Sequence, residues 1–394
     1  MRVLYVNHTA EVGGGERSLL ALLAALPREI EPVLAAPPGG LQEAARSLGV
    51  PVTTIAGTAG SLRLHPLHTP RAVAEMALAA AQVRRAAHRE RAGIVHANSI
   101  RAGIVLGLSG MRRTPTVVHV RDVLPPGPLT SATMRLIAAS ARAVIANSRY
   151  TGDAVRAAAP SASVEVIYNP VDLERWDPER IDRADARAGL GEPLAGRLLL
   201  GVVAQLSPWK GQDTAIEALR LLRADGRDAH LLLVGSAKFL ARSTRFDNER
   251  YLERLRALVA DAGLEDRVSW LGEREDVPEL MRALDVLLLP SWEEPFGRAV
   301  IEAMALGVPV VATDVGGPAE IITDGRDGYL LAPRDAAAWA RRITELADHP
   351  ELAAEIGQAG RRNVRERFTV AGHLDAVLAL YARLCGGEPP VMSP

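Results

Sequence analysis

Short apolar runs rich in Val, Ile and Leu recur along the chain, separated by longer segments whose apolar positions return every three or four residues. The runs at 2–7, 31–36, 50–55, 93–97, 115–120, 143–147 and 164–168 read as strands, and 16–27, 70–91 and 149–159 as amphipathic helices. The pattern restarts in the second half with strands at 198–205, 230–235, 267–272, 285–289 and 309–313. Helices there are expected at 212–225, 247–263, 297–306, 335–347 and 370–385. Continuously apolar strands alternating with helices require a parallel sheet covered on both faces, so the predicted class is doubly wound α/β.

The stretch 171–196 breaks this rhythm, being polar and rich in Pro, Asp and Arg without a strand-length apolar run. It is expected to link a first domain, 1–170, to a second, 197–369. The last helix, about 370–386, follows a complete second domain and is expected to return to the first. Open α/β sheets bind ligands at the carboxyl ends of their strands. Two such edges facing one another would form a cleft.

Composition narrows the class. Of 394 residues 48% are hydrophobic and 24% charged, which excludes a disordered chain, and a single cysteine, Cys385, excludes a Cys-based zinc cluster. Net charge is −1, but residues 1–197 hold 23 arginines against 17 acids (+6) and residues 198–394 hold 23 basic against 30 acidic residues (−7). Opposite signs suit two domains with different partners. No dense basic block reads as a nucleic-acid tail, and 4% aromatic residues supply few stacking platforms. The amino terminus does not read as a signal peptide, and no run approaches 18 uncharged apolar residues, so a cytoplasmic location is expected. Only Lys210 and Lys238 are lysines beside 44 arginines, which singles out each lysine.

Three stretches carry candidate chemistry. Gly13, Gly14 and Gly15 follow the first strand and open a helix, where backbone N–H groups can meet an anion. Ser18 occupies the third glycine position of a dinucleotide fingerprint, which disfavours a Rossmann dehydrogenase and leaves a simple tight turn as the alternative. Lys210-Gly211 follows the first strand of the second half without a P-loop pattern, and a lysine at that edge can neutralise a diphosphate as a point charge. Glu294-Pro295-Phe296-Gly297-Arg298 leads from a buried strand into a helix that carries Glu302. The two glutamates, on the order of 12 Å apart, are too distant for a glycosidase pair and suit two hydroxyl-rich groups at either end of a diphosphate. His119 ends a strand, as do His8 and His96, and a structural role is the ordinary one for each. No cluster has metal-ligand spacing.

Together with Asn169-Pro170-Val171-Asp172 and Gly316-Gly317-Pro318-Ala319-Glu320, these stretches resemble retaining glycosyltransferases of the group-one branch, family four, with the GT-B fold. The resemblance runs over essentially the whole chain and is densest over 200–335. It implies that Gly13 and Gly14 contact the donor diphosphate or sugar, and that His119 lies near the reacting carbon. It further implies that Lys210 neutralises the diphosphate, Glu294 holds the hydroxyls of the transferred sugar and Glu302 binds the ribose. The backbone around Phe296, Gly297 and Arg298 would hold phosphates, and Gly272-Glu273-Arg274 would meet the base. Gln205 departs from the family, which usually has Arg there, and removes one positive charge from the diphosphate clamp.

The implied reaction moves a sugar from a UDP- or GDP-linked donor to an acceptor hydroxyl with retention, by front-face attack and without a catalytic metal or other cofactor. The acceptor, whether a sugar, a lipid-linked group or another small molecule, would meet first-domain loops such as 57–69 and 122–131. Two rivals share the architecture: a nucleotide-sugar epimerase or phosphorylase, and a non-catalytic nucleotide-sugar-binding protein. The helix 70–91 with Arg84, Arg85, His88, Arg89 and Arg91, near Arg112 and Arg113, reads either as a solvated arginine-rich face or as a weak peripheral contact for anionic lipid at the inner membrane face. The first reading is the more ordinary one.

Overall fold

The computed structural model describes residues 1–58, 69–191, 194, 196–237 and 247–386; Lys238 and most of the loop 57–69 lie outside the described residues. The chain divides into two compact units, one of residues 1–170 with 370–394 and one of residues 171–369.

The first unit is built on a seven-stranded parallel sheet. Its strands are β1 (Arg2–Val6), β2 (Glu31–Ala36), β3 (Val52–Thr54), β4 (Ile94–Ala97), β5 (Thr116–Val120), β6 (Ala143–Ala146) and β7 (Val164–Val166), in the order β3-β2-β1-β4-β5-β6-β7. Side chains alternate across the sheet, so each strand feeds two cores. Leu4, Val6, Val95, Val118, Val120 and Val144 pack on one face with Ala79, Val83, Ala102 and Ile137. Val3, Tyr5, Ile94, Val117 and Ile145 pack on the other with Leu19, Leu22, Leu374, Val377 and Tyr381. The last three come from the helix Val370–Cys385, which therefore completes the first unit.

The second unit has a six-stranded parallel sheet: β8 (Leu198–Val203), β9 (Ala229–Val234), β10 (Val268–Gly272), β11 (Val286–Leu289), β12 (Val310–Thr313) and β13 (Tyr329–Leu331). Their order is β10-β9-β8-β11-β12-β13. Leu200, Val202, Leu231, Leu288 and Val311 pack beneath the helices Gln212–Ala224, Asn248–Asp261 and Ala336–Asp348, with Trp339 wholly buried among them. The helices Val277–Ala283 and Arg298–Ala305 lie against the same sheet's strands, and Leu284 fills the space that a side chain at Gly201 would take.

Among the differences from the sequence expectation, three bear on how the second unit is built. Residues 171–191 are part of the second unit rather than a free linker: the helix Arg183–Ala188 lies against Val277–Ala283, and Arg183 and Arg187 converge on Asp285 at 2.5 and 3.1 Å. Asp285 also accepts a hydrogen bond from the Leu199 N–H, which ties this polar stretch to the start of β8. β13 is only three residues long, too short for a periodicity to register. The helix Pro350–Arg367 was masked by Gly357 and Gly360, residues unfavourable in a helix interior. Packing explains both: a Cβ at Gly357 would lie 2.2 Å from the Gly307 carbonyl oxygen, and one at Gly360 3.1 Å from that of Asp327.

The helix Thr69–Arg89 exposes Leu78, Arg84, Arg85, His88 and Arg89 while burying Met76, Ala79, Ala80 and Val83. Among the described residues no helix is long and apolar enough to cross a membrane.

Candidate functional site

In the second unit the chemistry gathers where β8, β11 and β12 end. The chain leaves β8 through Ser207 into the turn Pro208–Lys210, and Gly211 closes that turn at φ +69°. A Cβ on Gly211 would sit 1.9 Å from the Pro290 carbonyl oxygen, so the β8 and β11 loops are in backbone contact that only glycine permits. The Trp292 N–H donates to the Trp209 carbonyl at 2.8 Å across the same junction. On the far side, Gly316 (φ +97°) would place a Cβ 2.1 Å from the Glu294 carbonyl oxygen, and that oxygen accepts the Gly317 N–H at 2.8 Å. The loop 291–297 is thus clamped between its two neighbours.

That clamp sets the Glu294 side chain. Its Oε2 accepts from Lys210 Nζ at 2.6 Å and from Ser291 Oγ at 3.0 Å. The side chains of Lys210 and Glu294 are only 14% and 9% exposed, and the ammonium also lies 3.8 Å from the centre of the Trp209 ring. A buried pair of this kind is held by its geometry, because each charge has given up water that the partner, Ser291 and the Trp209 ring replace. Gly297, at φ +97°, turns the chain into the helix Arg298–Ala305, on which Arg298 Nη2 meets Glu302 Oε1 at 2.7 Å. The two glutamates expected to act therefore each face a cation.

The remaining residues of the second unit take different places. Phe296 is 2% exposed and its ring packs edge-on to Phe368 with centroids 6.0 Å apart, so the ring belongs to the core and only the backbone remains for a ligand. Arg274 is exposed and paired with Asp276 at 2.6 Å, while Ser236 Oγ donates to Glu273 Oε1 at 2.6 Å beside it. Gln205 is half-buried, and its carbonyl accepts from Gln212 Nε2 at 2.9 Å. Among the described residues no group of three or more His, Cys, Asp and Glu is arranged to hold a metal.

In the first unit, Gly13 caps the helix Gly14–Ala25, and its N–H donates to Glu16 Oε2 at 3.1 Å. His119, expected near the reacting carbon, sits one residue before the end of β5. Its ring is wholly buried, with centroids 5.8 Å from His96 and 6.3 Å from His373. His119 shares the face of Val117 and Ile145, and the helix Val370–Cys385, which carries His373, covers that face. His96 Nδ1 is 2.5 Å from the Tyr381 hydroxyl, which donates to Tyr5 at 3.3 Å, and His373 Nδ1 is 2.8 Å from the Tyr168 carbonyl.

Burial holds these imidazoles neutral. His96 is pushed down to about 3 and His373 to about 4, chiefly by burial, and His119 also lies well below the ordinary histidine value. Unfolded histidines take up protons near pH 6.5, so the folded unit is fully stable above that value. It loses stability as pH falls from about 6.5 towards 4, by about 1.4 kcal/mol per pH unit for each buried ring. Urea midpoints at pH 7.5, 6 and 5 should decline steeply for the native chain and less steeply for His119→Leu. Equal slopes would show that the buried ring does not titrate on unfolding.

The residue that does stand at the end of β5 is Arg121, which the sequence reading passed over. Nη1 donates to the carbonyl and side-chain oxygens of Asn98 at 2.7 and 2.6 Å, and a Cβ on Gly15 would touch the Arg121 stem at 3.4 Å. The Arg121 carbonyl accepts from Asn147. A repeated Ala-Asn-Ser at 97–99 and 146–148 marks both asparagines, and Ser99 and Ser148 each cap the following helix.

Two family models match the chain. The model for glycosyl transferases group 1 matches residues 185–363, and that for Glycosyltransferase Family 4 matches residues 12–175. The chain belongs to this group-one, family-four glycosyltransferase family. A 2-deoxystreptamine glucosyltransferase of Streptomyces kanamyceticus is 34% identical over 229 residues, which are 57% of this chain and 56% of the relative. A D-inositol 3-phosphate glycosyltransferase of Streptomyces avermitilis is 32% identical over 252 residues, 61% of this chain and 52% of the relative. The chain spans little more than half the length of these relatives. Among solved structures, Anabaena HepE in complex with UDP-glucose superposes with a TM-score of 0.82 at 27% identity, covering 97% of this chain and 100% of HepE. The sucrose-phosphate synthase of Thermosynechococcus elongatus shares the fold, with a TM-score of 0.78 at 22% identity over 98% of this chain and 100% of the synthase. The fold of the chain is thus that of the GT-B glycosyltransferases, two Rossmann-like α/β domains.

Proposed function

We propose that this chain transfers a hexose from a UDP- or GDP-linked donor to an acceptor hydroxyl with retention at the anomeric carbon. The observation that carries this reading is the buried Lys210–Glu294 pair, 2.6 Å apart at the carboxyl edge of a parallel sheet. Family membership and the likeness to HepE, which binds UDP-glucose, support it. In the free chain the two charges satisfy one another. A bound donor would separate their tasks: the ammonium would pass to the diphosphate, and the carboxylate would accept from sugar hydroxyls.

The bond between the anomeric carbon and the β-phosphate oxygen breaks while the acceptor oxygen bonds to the same face of that carbon. The departing phosphate oxygen takes the acceptor proton, so no protein base is required. Lys210 and the helix start at Arg298 stabilise the charge that develops on the diphosphate. This role requires no metal. Glu302, one turn further along the same helix, binds the ribose hydroxyls. His119 has no chemical part and supports the layer beneath the helix Val370–Cys385.

A panel of UDP- and GDP-sugars, scored by the rise in melting temperature, identifies the donor, and NMR of the product anomer reads the stereochemistry. Glu302→Ala should raise the donor KM by about 10- to 100-fold with little change in kcat, as expected for hydrogen bonds to a charged group. Absence of stabilisation by every nucleotide sugar, or an inverted product, would reject the proposal.

A further inference from the structure

We infer that Arg121 is a positioning residue that holds the Gly13–Gly15 loop in place through Asn98, an inference that rests on the glycine loop serving the transfer proposed above. Four polar residues follow four neighbouring strands of the first unit: Asn7 after β1, Asn98 after β4, Arg121 after β5 and Asn147 after β6. The asparagines are 0–2% exposed. Such buried amides are costly unless their hydrogen bonds are met, and here Asn98 donates to Asn7 while Asn147 donates to the Arg121 carbonyl.

The connections run in one direction. Asn147 Nδ2 donates to the Arg121 carbonyl at 3.2 Å, which anchors the arginine backbone. Arg121 Nη1 then donates to both oxygens of Asn98, so its guanidinium fixes the amide's orientation with the oxygen turned towards it. That orientation leaves Asn98 Nδ2 facing the first strand and the glycine loop, where it donates to Asn7 Oδ1 at 3.0 Å and to the Gly15 carbonyl at 3.4 Å. The aliphatic stem of Arg121 lies against Gly15 itself. A short cation such as Lys cannot reproduce both the stem contact and the fork. Gly13 caps and Gly14 and Gly15 open the helix Gly14–Ala25, glycines that allow close approach of a ligand but restrain the backbone little, and the arginine supplies the restraint they lack.

The test uses the full chain with two variants that cut the chain of contacts at different links. Arg121→Met keeps the stem and removes the guanidinium; Asn98→Asp keeps the acceptors for Arg121 and removes the donor to Gly15. Both should speed amide hydrogen exchange in the segment 12–20 by about tenfold or more in the absence of any ligand, since local opening reports on the contacts that restrain it. Both should lower kcat by about 10- to 100-fold, the scale of a misplaced contact, with UDP affinity unchanged within about twofold. Combining them should cost little more than either alone, whereas independent sites would add. Unchanged exchange in 12–20 with reduced kcat would overturn the inference and make Arg121 a direct ligand of substrate, and full additivity would overturn the shared link. The exchange result is independent of turnover, so a chain that transfers no sugar at all would refute the proposed function and leave this measurement to stand.

Discussion

Lys210→Ala is expected to lower kcat/KM for donor turnover by about a thousandfold, the scale of losing an electrostatic stabiliser from a preorganised site. Two effects combine. The diphosphate loses its cation, and Glu294, whose side chain is 9% exposed, keeps a buried charge with a hydrogen bond from Ser291. Removing one partner of a buried pair costs about 3–5 kcal/mol of stability, so the second unit should also melt earlier. Glu294→Gln separates the terms: it retains a group that can accept from Ser291 and carries no charge, so it should restore stability to the Lys210→Ala background without restoring turnover. Turnover of Lys210→Ala within a few-fold of the native chain would remove the lysine from the mechanism.

Gly211→Ala should be the most damaging single methyl in the second unit. The residue combines φ +69° with a carbonyl oxygen, that of Pro290, 1.9 Å from the new Cβ, so the β8 and β11 loops must part. Overlap of this kind adds to the backbone strain, and a loss of about 3–5 kcal/mol is expected. Gly226 provides the contrast, since its φ is +80° but nothing lies within 4 Å of its Cβ position. Gly226→Ala should therefore show only the conformational cost, about 1–2 kcal/mol. Urea unfolding of the two variants measures the difference. Equal losses would mean that the loops yield readily and that Gly211 does not set the Lys210–Glu294 geometry.

Much of the second unit's site was legible along the chain. Lys210 stood out because lysine is so scarce, and the spacing from Glu294 to Glu302 placed both near a helix start. The direct contact between Lys210 and Glu294 was not legible, since 84 residues separate them and only the close packing of glycines 211 and 316 against neighbouring backbone brings their loops together. Phe296 was read as offering its backbone to phosphate, and only the fold shows where its ring goes, against Phe368. The surroundings of His119 were not legible either. In a run buried on both faces, nothing in the residue types reveals which face a side chain takes or how far the strand extends, and β5 ends one residue after His119. Arg121, the first residue beyond it, was hidden by being one of 44 arginines.

The alternation of apolar runs with helical periodicities determined the class of this protein by itself, because parallel strands buried on both faces admit no other pattern. Its glycines and scarce lysine marked the loops that matter. The tertiary structure alone decided which polar groups are paired and which buried: the polar stretch after 170 joined the second unit through Asp285, and a layer of neutral histidines closed beneath the last helix of the first. Backbone pattern is a local property of the chain, whereas the partner of a charge is chosen by whatever the fold brings within about 3 Å of it.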